Sequence, residues 1–592
     1  AVSFSTMFLS SVNFNQDIGS WNTANVKYMR KMFQSARKFN QDIGSWNTSL
    51  VSNMYEMFLN AEKFNHYIGQ WNTSLVPNMG NMFQNAYSFN KNLDAWDTGA
   101  VTDMANMFYG ASLFNGDVSL WNVSMVTSMY RMFREASQYN QPMTAWDTSN
   151  VKDMCELFHS ARSFNSDISG WDTSQVTTMQ YIFVSAESFN QNIGYWNTSK
   201  IVDMYRMFYN AFSFNKSIDT WDTSSVTTMQ EMFYGAVNFN TDASSLDTSK
   251  VTNMNRMFYR ASKYNGDISG WNTAQVTNMY QMFSGASAFN KPIGEWVVTR
   301  VTTMEEMFQG AKAFNQNLSA WNTSSVTAMR GMFYKASSFD SEINEWDTSR
   351  VTLMEDIFHE AISFNQDIDK WDISGVTSLR AMFSHASTFN GKVNSWDTSK
   401  VRDMYRMFYK AYAFNEEVGS WSTSQVTTMS QMFYSAYSFN KDMSRWDVAS
   451  AQNLRYMFYN ASSFEQDISA WKGTSAEKIQ FNIFANATAF LNRYSCSDTT
   501  AGPVSSCICV AGDCALSDGT FHDAVENCLN ESPLDGLCAN WGTSLTNYGT
   551  MPNWDTSQVR SMIGFKGGKH TAFARKDSFN GDISKWNTSQ VT

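Results

Sequence analysis

A tryptophan returns every 25 residues along most of this chain. Trp21, Trp46, Trp71, Trp96 and Trp121 open the series, Leu246 fills one slot, and the spacing holds without insertion to Trp471, nineteen slots in all. A fixed period between about 20 and 50 residues marks a solenoid or another array, in which each unit buries its apolar side chains only against its neighbours. Length alone, at 592 residues, would suggest about four domains. The repeat replaces that expectation with one elongated array.

One unit, WDTSKVRDMYRMFYKAYAFNEEVGS from Trp396 to Ser420, carries the local reading. Apolar residues at Val401, Met404, Met407, Phe408, Ala411 and Phe414 are spaced by threes and fours, which predicts an amphipathic helix of roughly three turns. Asp397, Thr398 and Ser399 precede it as candidate cap residues. Val418 and Trp421, set among small and polar residues, predict a short strand entered and left by turns. The fold class expected is an α/β repeat solenoid with one short strand and one short helix per 25 residues. Strand stacking would advance it by ~4.8 Å per repeat. Asn15, Asn40, Asn65, Asn90, Asn115 and their successors form one column, whose amides can hydrogen-bond from coil to coil.

The words WDTSQVTTMQYIFVSAESFNQNIG from Trp171 and WDTSSVTTMQEMFYGAVNFNTDAS from Trp221 resemble the BspA-like leucine-rich-repeat surface proteins. The likeness is to the 25- to 26-residue class found in mycoplasma surface lipoproteins. It covers about residues 1–490 and again 554–592. It implies a leucine-rich-repeat-like solenoid displayed on a cell surface, and no catalytic residues.

After Trp471 the repeat degrades, and residues 481–490 are expected to keep a helix while losing register. The expected organisation is a solenoid over 1–490, a Cys-rich insertion or joint over 491–550, and resumed repeats over 551–592. Six of seven cysteines, Cys496, Cys507, Cys509, Cys514, Cys528 and Cys538, cluster there. An even cluster in a loop-rich stretch predicts three disulfides and an oxidising compartment. Zinc is the rival, poorly served by the Cys507-x-Cys509 spacing. Cys155 stands alone in the array and is expected to be a solvent-facing free thiol.

Little else carries chemistry. The six histidines are scattered, with no pair at ligand or catalytic spacing, so an enzyme is not expected and no cofactor is implied. Net charge is −11 with no basic run, which argues against nucleic acid as a partner. No segment approaches the ~18 apolar residues of a membrane span. Recurrent Asp17, Asp42, Asp117, Asp167, Asp267, Asp367 and Asp467 could line a Ca²⁺ column or serve turns; Asn92, Pro142 and Lys392 interrupt them, which favours turns. Asn47, Asn72 and Asn197 begin Asn-Thr-Ser sequons and are candidate glycosylation sites in a secretory pathway.

A tyrosine follows Met-Phe at Tyr209, Tyr234 and Tyr259, and again at Tyr409, Tyr434 and Tyr459, so two runs span three adjacent coils each. It should lie partly exposed at the core's edge, either as amphipathic packing or as a strip that docks a glycan or a partner solenoid. The function class expected is a non-enzymatic extracellular or cell-surface structural or adhesion protein that assembles with itself or with other surface proteins. A carbohydrate-binding module is the alternative. A weaker third reading is an ice-binding row built from the cap pairs Thr173-Ser174, Thr223-Ser224 and Thr398-Ser399. Both ends fall inside a repeat, so the chain is expected to be a piece of a longer protein or a subunit whose coils continue into the next.

Overall fold

The computed structural model describes residues 2–466, 468, 471 and 483–493, together with the backbone of 515–517 and 555–558. Contacts divide the chain into two compact units, residues 1–341 and 342–592. Each is taken by itself.

In the first unit, the coil that begins at Trp121 shows how a repeat is built. The N–H groups of Met129, Arg131, Phe133 and Glu135 donate to carbonyls of the next coil, at Asp153 (2.9 Å), Cys155 (3.0 Å), Leu157 (3.0 Å) and His159 (2.7 Å). Those of Met132, Arg134 and Ala136 instead turn back to the carbonyls of Met129, Arg131 and Phe133 at 3.1 Å. Alternate peptide groups therefore point along the solenoid and within the coil. This alternation carries Arg131 to φ +55° and Glu135 to +61°, the sign that a type II turn demands at its third residue.

The predicted helix is therefore absent, and a run of overlapping turns takes its place. An α-helix bonds N–H groups to its own carbonyls four residues back and leaves none for a neighbouring coil. Turns three residues long place Val126, Met129, Met132, Phe133, Ala136 and Tyr139 inward just as a helical stripe would, and all are fully buried. The spacing could not separate the two. One signal could have done so: Gly110, Gly235, Gly285 and Gly310 recur in a single slot, all at positive φ, where the interior of a helix disfavours glycine.

The predicted strand is also displaced. Parallel pairing runs not through the Val418–Trp421 slot but through residues just before the Met-rich turns. In the first unit β1 (Val2–Ser3) pairs with β2 (Val26–Tyr28) in parallel. Single-residue parallel bridges continue the column, among them Asn78 to Asp103, Asp103 to Ser128 and Thr303 to Ala328. The second unit repeats the scheme, with Arg406 N–H on the Ser430 carbonyl (3.1 Å), Lys410 N–H on that of Tyr434 (2.7 Å), and bridges Asp403 to Thr428 and Thr428 to Asn453.

Aromatic columns fill the interior. Trp46 and Trp71 stack with centroids 6.3 Å apart, Phe33 and Phe58 at 5.5 Å, and Phe39 and Phe64 at 5.8 Å, while Phe33 and Phe39 meet within one coil at 4.0 Å. Tryptophans of the column also donate the indole N–H to a carbonyl of the preceding coil, as Trp146 does to Val118 at 3.2 Å and Trp421 to Val393 at 3.1 Å. The buried ring thus keeps a hydrogen-bond partner.

Residues 483–490 do not lose their place in the stack. Phe484 lies on Phe458 at 5.5 Å and Phe490 on Phe464 at 5.8 Å, while Phe458 N–H reaches the Ile483 carbonyl at 2.8 Å. This coil is one residue longer than the others, which shifts the sequence without breaking the columns. A true helix, α1 (Thr488–Arg493), follows. Beyond it, β3 (Ala515–Ser517) pairs in parallel with β4 (Asp555–Gln558). Cys496, Cys507, Cys509, Cys514, Cys528 and Cys538 lie outside the described residues, as does Asp467.

Candidate binding surface

The two tyrosine runs form ladders on the outside of the turns. Tyr209 and Tyr234 stack at 4.3 Å with planes 8° apart, and Tyr234 and Tyr259 at 4.5 Å. In the second unit Tyr409 and Tyr434 stack at 4.7 Å, and Tyr434 and Tyr459 at 4.6 Å. All six are half-buried. Cations cover the outer faces: Arg206 sits 5.1 Å from the Tyr209 centroid, Arg260 5.2 Å from Tyr259, and Arg406 4.9 Å from Tyr409.

Both faces of Tyr234 and of Tyr434 are thus occupied by neighbouring rings, which leaves edges and hydroxyl groups toward solvent. Burial first, then the adjoining phenols, pushes the Tyr234 and Tyr434 hydroxyls up to about 12, so both stay protonated donors at neutral pH. A second row, not singled out in the sequence, adjoins the later ladder. Tyr412 and Tyr437 stack at 4.9 Å and are 38% and 41% exposed. They share one slot of adjacent repeats, which was the available signal.

The other candidate residues are placed as follows. Asn47, Asn72 and Asn197 are exposed. Their side-chain oxygens accept the N–H of Ser49, Ser74 and Ser199 at 3.0, 3.0 and 3.1 Å, which makes each the head of a tight turn. The aspartates do the same work: Asp17, Asp42, Asp117, Asp167 and Asp267 accept the N–H two residues on at 2.8–3.0 Å, and Asp367 takes Lys392 at 2.9 Å. Among the described residues, no group of three or more His, Cys, Asp or Glu is placed to hold a metal ion.

The threonines of the ice-binding row are not at the surface, although Ser174 and Ser224 are half-buried and Ser399 exposed. Thr173, Thr223 and Thr398 are each 1% exposed, and their hydroxyls donate to carbonyls of the next coil at Asn197 (3.0 Å), Asp247 (2.9 Å) and Ser422 (2.9 Å). Cys155 is half-buried rather than facing solvent, and burial, followed by Asp153, raises its thiol to about 11. That leaves little of the reactive thiolate at neutral pH.

A charged network beside it went unread in the sequence. Glu156, almost fully buried, takes Arg131 at 2.6 Å and also contacts Arg134. Burial, with Arg134, Arg131 and Arg206 nearby, lowers the His159 imidazole to about 4. The residues are spaced 25 and 22 apart, so only stacking brings them together.

A family model described as "Mycoplasma protein of unknown function, DUF285" matches residues 1–93, 66–150, 141–246, 213–321, 241–344, 304–416, 387–497 and 541–592. The chain belongs to that family. The DUF285 matches tile the repeats and pass over 498–540, the stretch holding five of the clustered cysteines. No curated protein matches the sequence. Among solved structures, a crystal structure of a TLR13–ssRNA13 complex aligns over 79% of this chain and 76% of its own, at 8% identity and a TM-score of 0.15. A score that low carries no argument. The solenoid reading rests on the coils themselves. No helix among the described residues is long and apolar enough to cross a membrane.

Proposed function

We propose that this DUF285 chain is a non-enzymatic extracellular or cell-surface protein, kin to the BspA-like surface proteins, that works in adhesion or assembly through its repeat surface. One observation supports the reading above others. The side chains that recur in most coils are used between coils, as Asn140 N–H on the Asn115 oxygen (2.9 Å), Trp146 on Val118 (3.2 Å) and Thr148 on Asp172 (2.9 Å) illustrate. Most slots that vary from coil to coil face outward, such as those of Tyr195, Leu120 and Met125 at 80%, 73% and 53% exposure. A scaffold of constant interior and variable exterior suits recognition by surface. Labelling of intact cells with a membrane-impermeant amine reagent tests the location: label on the chain is expected, and label only after lysis would refute it.

The tyrosine ladders favour a second reading, glycan binding. With the ring faces stacked on one another, sugars would be held by phenol hydroxyls and by Arg406 and Lys410 beside Tyr409, not by stacking on a ring. A glycan array separates the readings. Micromolar binding lost in Tyr409→Ala with Tyr434→Ala would favour the module; adhesion that survives that double change favours the scaffold.

A further inference from the structure

A stack of near-identical coils has a register problem. If one coil were looped out, Phe would still meet Phe, Met would meet Met, and a threonine N–H would still find the corresponding carbonyl. The apolar columns of the first unit do little to prevent this, because nearly every coil repeats them, with Ala243 and Leu246 as local departures. One column is different. The slot at positive φ that holds Arg206 holds Glu231, Arg256, Gln281 and Glu306 in the following coils. Arg206 Nε donates to Glu231 Oε2 at 2.7 Å, and Arg256 lies 3.9 Å from the other Glu231 oxygen. Arg256 Nε then donates to Gln281 Oε1 at 2.6 Å, and Gln281 Nε2 to Glu306 Oε2 at 2.6 Å. Glu231 is only 3% exposed. Lys31 with Glu56 at 3.1 Å and Arg131 with Glu156 at 2.6 Å are further pairs in the same slot.

We propose that this column sets the register of the coils, with Glu231 as its centre. Looping out the coil of Glu231 would press Arg206 against Arg256 and leave two guanidinium groups without an anion in a half-buried slot. Like charges brought together at such a site are disfavoured far more than at an open surface. The positive φ of the slot helps, since it holds the side-chain stems of successive coils in one line. A single polar position that fixes register among otherwise equivalent apolar packings is an established use of buried polarity.

Engineered cysteines read the register directly. Thr252 N–H donates to the Thr227 carbonyl at 2.9 Å, and Thr227 N–H to that of Val202 at 2.9 Å. Thr227→Cys with Thr252→Cys therefore reports the native stack, because the two residues lie on adjacent coils. Val202→Cys with Thr252→Cys reports the skipped one, since two coil steps of ~4.8 Å exceed the ~7 Å reach of a disulfide. Both pairs are placed in the full chain, refolded under oxidation, and mapped by peptide mass spectrometry. The unaltered column should give only the Thr227–Thr252 position link. Glu231→Arg should lose at least tenfold of that link, with the Val202–Thr252 position link gaining. Arg206→Glu with Glu231→Arg and Arg256→Glu restores alternation with the signs reversed and should restore the native link. If Glu231→Arg keeps the native link, or if the sign-reversed chain fails to regain it, the proposal is overturned. A Glu231→Arg chain that fails to fold, beside a sign-reversed chain that folds in register, supports it.

Discussion

The two halves of a coil are tied to their neighbours by different means. From Met129 to Glu135 the links that these coils share are main-chain hydrogen bonds, which any side chain but proline leaves intact. Ion pairs such as Arg131 with Glu156 are added in particular coils. From Asn140 to Thr148 the links run through an asparagine oxygen, an indole N–H and a threonine hydroxyl. The first half accordingly accepts Lys31, Glu56, Asn81, Arg131, Tyr181 and Gln281 in one slot, while the second repeats its asparagine almost without change. Constraint on sequence follows the side-chain links rather than the main-chain ones. The threonine link is the weakest of them, since Val123 and Val298 occupy its slot and remain buried in the stack.

The largest expected effect concerns what both halves share. Phe289 is fully buried, stacked 4.1 Å from Phe283 and 5.9 Å from Phe314. Phe289→Ala should cost about 3–5 kcal/mol by urea denaturation, with the loss of hydrogen-exchange protection confined to adjacent coils. Spread over the whole unit, the loss would contradict nearest-neighbour packing.

The turn half carries a buried charge network, and acid should weaken it selectively. His159 has its imidazole lowered to about 4, against about 6.5 in an unfolded chain. The stability from keeping it neutral is fully present above about pH 6.5 and is lost as pH falls toward 4. Over that window the native chain should lose on the order of 2–3 kcal/mol more than His159→Gln. Parallel curves for the two would show that the imidazole does not titrate as its surroundings imply.

The side-chain half predicts a smaller, sharper loss. Asn165→Ala takes the acceptor from the Asn190 N–H, now 2.8 Å away, and should cost about 1–2 kcal/mol. A change of equal size on replacing the side chain of Ser160 in the turn half would erase the distinction between the halves. The smallest effect has the opposite sign. Ser185 sits at φ +52°, and its N–H link to Tyr209 (2.6 Å) is main-chain, so Ser185→Gly should stabilise by about 0.5–1 kcal/mol. The reverse change at Gly110, φ +74° with the Asn85 side chain where a Cβ would stand, should destabilise.

The 25-residue period by itself determined that successive repeats stack on one another. The same spacing determined which residues are inside, and the recurrence of asparagine determined that it bonds between coils. Those conclusions need only the rule that a repeated unit buries its apolar residues against its own copies. Whether the inward residues ride a helix or a chain of turns was left open, because both return a side chain inward every three or four residues. Where alternate N–H groups go decides it, and that is a relation between coils, not within one. The same holds for the surface. Six tyrosines at one slot were legible, but that their faces cover one another, and that Arg206, Glu231 and Arg256 meet in a line, depends on coils 25 residues apart lying within van der Waals and hydrogen-bond reach.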